Sequence, residues 1–207
     1  MFRNLLKPDS ALMITMSQIT DCIFLSLFWL VGCFPIVTSG ASFAALYDAT
    51  FRGFRGGEKK VWHRFFKTFR ENWKAGILPA VAVGAVFALL LRLSIKLWNA
   101  LATGGISAMA FSAGAFVAVL ILGILSVVFP MLSRFENSPG ALLKNAVLIA
   151  LANMPRTLAL GSLNAVTIFL CVRFVFPLFF LPSLSALIGS LFIEPMFKPY
   201  MPQEEAA

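Results

Sequence analysis

Apolar residues occur along this chain in long runs that no charged residue interrupts. Five such runs lie at 22–47, 75–91, 97–133, 157–172 and 174–193. A helix needs roughly 20 apolar residues to cross the hydrocarbon core of a bilayer. The pattern therefore predicts an all-α integral membrane protein with transmembrane helices over 75–98, 107–133, 157–176 and 181–196.

The first apolar run is too long for one span, and helix-breaking residues interrupt it. Backbone groups freed by such a break need partners within protein or water, because lipid supplies none. We predict a broken, re-entrant helical hairpin over 10–52, with a turn at 34–40 and a short returning arm. Its candidate functional residues are Asp21, Pro35, Thr38, Gly40 and Asp48.

Composition supports a membrane protein and argues against a nucleic-acid-binding one. The chain is 59% hydrophobic and 13% charged, which is far from the balance of a soluble domain. The net charge of +8 comes from basic residues in short segments between apolar runs. That distribution is typical of a protein that meets membrane lipids at the bilayer surface, and we expect no nucleic-acid partner.

Basic residues also predict the orientation. The segment 52–74 contains eight Lys or Arg residues and two Glu residues, so the positive-inside rule places it in the cytoplasm. Counting spans from there puts Arg134 and Arg156 in the cytoplasm, Arg92 and Arg173 near the outer face, and both termini in the cytoplasm. One tilted span followed by an external basic loop remains the alternative to the hairpin.

The same basic segment carries aromatic residues at helical spacing. It predicts a cytoplasmic amphipathic helix over 59–74, whose candidate contact residues are Trp62, Arg64, Phe65, Phe66, Lys67, Phe69, Arg70 and Trp73. A helix of this kind suits either an anionic leaflet or a docked protein partner, and the sequence leaves both possibilities open.

A further short helix is predicted over 138–153. Ser138 suits the N-cap position, Pro139 suits the first helical position, and Pro155 ends the pattern. We place this helix on the cytoplasmic side of the bundle. The candidate residues at this cytoplasmic mouth are Arg134, Glu136, Asn137 and Asn145.

No pattern in the sequence indicates catalysis. His63 is the single histidine, and the three cysteines lie within apolar runs without metal-ligand spacing. No phosphate-binding Gly-x-x-x-x-Gly-Lys motif occurs. We therefore expect no catalytic residue, no metal and no cofactor, and interpret the chain as not an enzyme.

Several segments resemble the YesL family of small bacterial membrane proteins. They are Leu6-Lys7-Pro8-Asp9-Ser10, Ile19-Thr20-Asp21, Leu27-Phe28-Trp29-Leu30, Phe34-Pro35-Ile36-Val37-Thr38-Ser39-Gly40-Ala41-Ser42, Phe65-Phe66-Lys67-Thr68-Phe69-Arg70-Glu71-Asn72-Trp73, Arg134-Phe135-Glu136-Asn137 and Leu143-Lys144-Asn145-Ala146. The Pro-x-x-Thr-x-Gly-Ala string, followed later by Arg-Phe-Glu-Asn, is the most specific part of this resemblance.

The resemblance implies a multi-pass protein of the bacterial plasma membrane. Members are commonly encoded beside carbohydrate ABC importers, so it implies an accessory or regulatory subunit bound to the permease subunits of an oligosaccharide importer. Gly114, Gly123 and Gly161 would allow close packing of helices in such a complex. The alternative is an autonomous small-molecule transporter or channel, with Asp21, Thr38 and Asp48 at its site.

Overall fold

A computed structural model describes residues 11–58, 60–135 and 138–201 of the chain. These residues form helices joined by short turns, and no strand occurs among them. The α-helices are α1 (Ala11–Cys33), α2 (Ser39–Thr50), α3 (Val61–Asn72), α4 (Ile77–Ala102), α5 (Ala108–Arg134), α6 (Pro139–Ala152), α7 (Met154–Arg173) and α8 (Leu181–Phe197). The predicted all-α architecture is confirmed.

Four helices in the described part of the chain are long and apolar enough to cross a membrane. They are Met16–Cys33 within α1, together with α4, α5 and α7. The predicted spans 75–98 and 107–133 correspond closely to α4 and α5. Helix α8 covers the predicted span 181–196, but it has 17 residues and is not among the four. The chain is thus a membrane protein by the length and composition of its helices.

Helices α1 and α2 pack against each other after a short turn that contains Pro35. The Thr38 hydroxyl donates to the Gly32 carbonyl oxygen at 2.7 Å, so the turn satisfies part of the freed backbone itself. Gly32 of α1 lies against Ser42 of α2, and Leu25 packs with α2 further from the turn. The two helices therefore run antiparallel. Residue 10, where the predicted hairpin begins, lies outside the described residues.

Helix α2 forms the centre of the bundle. Every residue from Gly40 to Thr50 is buried except Phe43. Most of these residues are Gly, Ala or Ser, which lets α1, α3, α5 and α8 approach closely. A Cβ atom at Gly40 would collide with the carbonyl oxygen of Gly76 in the turn before α4. Position 40 must therefore be glycine for this turn to pack against α2.

Helices α5 and α7 cross at an interface made of glycine backbone. A Cβ atom at Gly161 would collide with a carbonyl of α5 and lie 3.1 Å from the Gly123 nitrogen. Three residues further along each helix, the Asn164 amide donates to the Ser126 hydroxyl at 2.9 Å. Because both contacts advance by three residues in the same order, α5 and α7 run in the same direction.

Parallel packing of α5 and α7 requires α6 to run back along α5. The Thr157 hydroxyl donates to the Ala150 carbonyl at the end of α6, and Thr157 also touches Gly123. Gly123 is 11 residues before Arg134, which corresponds to about 16 Å of helix. Helix α6 therefore runs back about 16 Å along α5, a length that is about half the thickness of a hydrocarbon core.

The direction of α7 relative to α5 differs from the direction that counting spans predicts. The count treats 138–153 as a helix of the cytoplasmic side and gives α7 the opposite direction to α5. In the structure, Arg173 lies towards the Arg134 end of α5, while Arg156 lies towards the other end. The physical reason is the apolar face of α6, whose Leu142 and Ala146 pack into the bundle core beside α5.

Replacing Gly161 by alanine should test the α5–α7 crossing. The new methyl group would meet backbone, which cannot move aside without separating the helices, and overpacking of this kind costs about 1–3 kcal/mol. We expect a lower melting temperature for Gly161→Ala in detergent. The matched control is Gly84→Ala on α4, where a Cβ atom meets nothing within 4 Å. Equal melting temperatures for the two variants would contradict the close crossing.

Candidate functional site

A fully buried carboxylate lies at the carboxyl end of α2. Asp48 has 0% exposure and accepts a hydrogen bond from Arg52 Nε at 2.9 Å, one turn later on the chain. Its second oxygen accepts from Arg64 Nε and from the Thr68 hydroxyl, the latter at 2.7 Å. Arg64 and Thr68 are both on α3. This cluster, Asp48 with Arg52, Arg64 and Thr68, is termed the Asp48 cluster.

The Asp48 cluster joins α3 to the centre of the fold. A buried ion is tolerated only when opposite charge and hydrogen bonds replace its lost hydration. Burial alone would lower the pKa of Arg64, but its hydrogen bond to Asp48 and the negative charge of that carboxylate raise the pKa above its usual value. The guanidinium therefore remains charged.

A second, partly buried ion pair lies beside α2. Glu194 of α8 accepts from Arg134 of α5 at 2.8 Å and from the Tyr47 hydroxyl of α2 at 2.8 Å. The side chains of Arg134 and Glu194 are 8% and 17% exposed. The Arg134 guanidinium also lies over the Phe51 ring, 4.3 Å from its centroid. Three helices therefore meet at this set of residues, termed the Glu194 cluster.

A neutral contact joins α1 to α8. The Ser26 and Ser183 hydroxyl oxygens are 2.8 Å apart, and both side chains are buried. The Ser183 hydroxyl is also 2.9 Å from the Cys22 carbonyl oxygen, to which it donates. Together with the two charged clusters, this pair links α1, α2, α3, α5 and α8 through buried polar contacts.

Asp21 does not join the Asp48 cluster. Its carboxylate accepts from the Trp62 indole nitrogen at 2.8 Å, at the beginning of α3. The two residues border a shallow cleft of about 380 Å³ that Lys60 and His63 also line. The two hairpin carboxylates thus contact different residues of α3 and do not form one site.

Helix α3 has three faces rather than the two predicted from the sequence. Phe65 is 2% exposed and packs with Val61 inside the protein, and Arg64 turns inward to Asp48. Neither residue is therefore available to a leaflet or a partner, although the sequence pattern placed both among the contact residues. The exposed aromatic residues are Trp62, Phe66 and Trp73, and the exposed basic or histidine residues are His63, Lys67, Arg70 and Lys74.

The remaining sequence candidates divide between the turn and α6. Pro35 is exposed in the turn, and the Thr38 hydroxyl is taken up by the backbone carbonyls of Gly32 and Pro35. Phe69 and Asn145 are half-buried on α3 and α6. Among the residues predicted at the cytoplasmic mouth, Arg134 belongs to the Glu194 cluster. Glu136 and Asn137 lie outside the described residues.

Glu194 and the serine pair are not among the residues predicted from the sequence. Glu194 was detectable, because it is the one acidic residue in the described sequence after α6 and it ends an apolar run. Ionisable groups at such positions are rare and usually paired. Ser26 and Ser183 carry no comparable signal, since single serines are common in transmembrane helices.

The charged side chains of the described residues are arranged to join helices. No group of three or more His, Cys, Asp or Glu side chains gathers there in a way that could hold a metal ion. The carboxylates of the two charged clusters are directed at arginine, threonine or tyrosine groups of neighbouring helices. Their geometry serves to join helices.

Comparison with known proteins gives one partial match. Residues 22–92 match the model of a family described as "Protein of unknown function, DUF624". The matched segment covers about a third of the chain, from the middle of α1 through α2 and α3 into α4, and it includes the Asp48 cluster. No curated protein and no solved structure matched the chain.

Replacing Asp48 by asparagine should destabilise the fold strongly. The variant keeps the side-chain shape but removes the charge that compensates Arg64, and breaking a buried pair costs about 3–5 kcal/mol. We expect about 3 kcal/mol here, because both arginines retain some exposure to solvent. The free energy of unfolding in a denaturing-detergent titration measures the effect.

Glu71→Gln provides the matched control for that substitution. Glu71 is an acidic residue of α3 itself, and the nitrogen–oxygen distance of its exposed pair with Lys67 is 4.0 Å. Exposed pairs of this kind contribute about 0–1 kcal/mol. If both variants changed the free energy of unfolding equally, the buried cluster would have no special structural role.

Proposed function

We propose that this chain is a YesL-type, non-enzymatic accessory subunit that packs laterally against the permease of a carbohydrate ABC importer in the bacterial plasma membrane. Two sequence observations support the proposal: the resemblance described above, and the DUF624 match, since YesL proteins belong to that family. The structural support is the contrast between buried charges that pair within the chain and apolar helix faces that remain uncovered.

Exposed apolar side chains occur on several helices, including α4, and some of the most exposed lie at the end of α7. Phe169 and Val172 are 67% and 83% exposed, and Val175 and Phe176 continue the patch beyond the helix. Gly123 and Gly161 lie at the α5–α7 crossing, and Gly114 packs against Leu97 of α4. The glycines that suggested partner contacts therefore act inside the protein. We assign the permease contact to the α7 patch because its side chains are among the most exposed apolar ones.

The autonomous transporter is less well supported. That alternative assigns a solute to Asp21, Thr38 and Asp48. Each of these side chains already bonds within the protein, to Trp62, to the backbone of the turn and to the Asp48 cluster respectively. A solute would have to displace these contacts before it could bind.

The proposed membrane orientation keeps both termini and α3 on the cytoplasmic side. Arg52, Arg55, Arg134 and Arg173 then share the cytoplasmic end, in agreement with the positive-inside rule. Helix α2 has 12 residues, or about 18 Å, which is shorter than the roughly 30 Å hydrocarbon core. The returning helix of the hairpin, α2, is accordingly proposed not to cross the whole hydrocarbon core.

In this orientation α3 is the proposed amphipathic helix of the inner leaflet. Its buried face holds α2, its exposed aromatic face lies at the lipid boundary, and Lys67, Arg70 and Lys74 face the anionic headgroups. Aromatic side chains prefer this interfacial region because their rings are amphipathic. Basic side chains prefer it because the anionic lipids give the leaflet a negative surface potential.

Labelling of single cysteines should test the orientation. Lys60→Cys precedes α3, and Thr103→Cys lies in the turn between α4 and α5; both positions are exposed. In intact cells, a membrane-impermeant maleimide should label residue 103 and should reach residue 60 only after permeabilisation. Labelling of residue 60 in intact cells would invert the proposed topology.

Co-purification with site-specific photocrosslinking should test the function. Extraction in mild detergent at native expression should recover permease subunits of a carbohydrate importer. A photoreactive residue at position 169 in the α7 patch should form adducts with the permease, whereas the matched control at position 89 on α4 should not. If position 169 yields lipid adducts alone and no importer subunit co-purifies, the proposed function is wrong.

A further inference from the structure

An apolar groove of about 800 Å³ runs between α4 and α5, close to the turn that joins them. Leu93, Leu97, Phe111, Ala118 and Ile121 are among the residues that line it. The Leu97 side chain packs against Gly114 within the groove, so the two helices are in close contact there. The groove has the apolar lining that suits acyl chains, and both helices that form it are long and apolar enough to cross a membrane.

One cation, Lys96, lines this groove, and apart from Ser94 the other side chains of the lining are apolar. Lys96 is exposed, and no ion pair joins it to any residue that the structure describes. The sequence contains no acidic residue between Glu71 and Glu136, so α4, α5 and their turn offer Lys96 no carboxylate. The ammonium group is therefore free to pair with an anion from outside the chain.

The depth of Lys96 matches a lipid headgroup. Lys96 lies seven residues before Thr103, about 10 Å of helix from the turn. A lysine side chain at such a depth extends its ammonium group towards the interface while its methylenes remain in apolar surroundings. Trp98, also at the groove, is a residue type that favours the same interfacial region.

We propose that the α4–α5 groove is a binding site for one anionic phospholipid, whose phosphate pairs with Lys96 and whose acyl chain lies along the apolar lining. A phospholipid has both a negative charge for Lys96 and a hydrocarbon chain for the apolar lining. A transmembrane helix of a partner would also offer apolar side chains, but it would need a buried carboxylate to pair with Lys96. The site is separate from the α7 patch proposed for the permease.

Crosslinking with a photoactivatable lipid should test this site. The probe is phosphatidylglycerol with a photoreactive acyl chain, present in trace amounts in phosphatidylcholine vesicles that contain the purified protein. Adducts should map to the α4 and α5 peptides, and unlabelled phosphatidylglycerol should compete better than phosphatidylcholine. Lys96→Gln should lower the α4–α5 adduct yield about tenfold, as expected for loss of one charged hydrogen bond, while Lys96→Arg should retain it.

Arg92→Gln is the matched control, because it removes the same charge one turn earlier on α4 but outside the groove lining. Its α4–α5 adduct yield should stay within about twofold of wild type. Adducts on the α3 peptide provide an internal reference that Lys96→Gln should leave unchanged. The proposal is overturned if Lys96→Gln has no effect, if Arg92→Gln has the same effect, or if a phosphatidylcholine probe labels the groove equally well.

Discussion

The buried carboxylate of Asp48 is the interaction on which the architecture depends. It lies on the most enclosed helix of the bundle and is reached from α3 by both Arg64 and Thr68. Without α3 this buried carboxylate would keep only Arg52 as a partner and would lose both bonds to its second oxygen, so α3 cannot leave α2 without a large penalty. Hydrophobic contacts alone would not impose this restriction, because lipid can replace apolar partners but cannot replace a guanidinium.

This constraint explains why α3 belongs to the protein rather than to the membrane surface alone. A basic helix held only by lipid would turn its whole aromatic face to the leaflet. Here Phe65 is inside the protein, where it packs beside Val61, and Arg64 faces the carboxylate. The position of α3 then determines where its outer basic side chains lie, which connects a buried ion pair to the proposed contact with anionic lipid.

Sequence reasoning identified the helices but not their directions. The uncharged runs located α4 and α5 closely, and Pro35 with the Thr38-Ser39-Gly40 cluster located the break between α1 and α2. Counting spans failed at α6, because 14 residues can either lie at the surface or climb beside α5, and their hydrophobic pattern is the same in both cases. The contacts of Gly161, Asn164 and Thr157 distinguish these arrangements, and such tertiary contacts leave no periodic signal. The partners of Asp48 and Glu194 were likewise inaccessible, since spacing along one helix does not reveal which neighbouring helix supplies the cation.

A double-mutant cycle on Asp48 and Arg64 tests the central role of this pair most directly. The free energy of unfolding would be measured in denaturing detergent for Asp48→Asn, Arg64→Gln and the double variant. Since the two side chains bond directly inside the protein, the account predicts a coupling energy of at least about 1.5 kcal/mol, with the double variant more stable than the sum of the single losses implies. Single effects that add within about 0.5 kcal/mol would show that the two residues act independently, and would contradict the account.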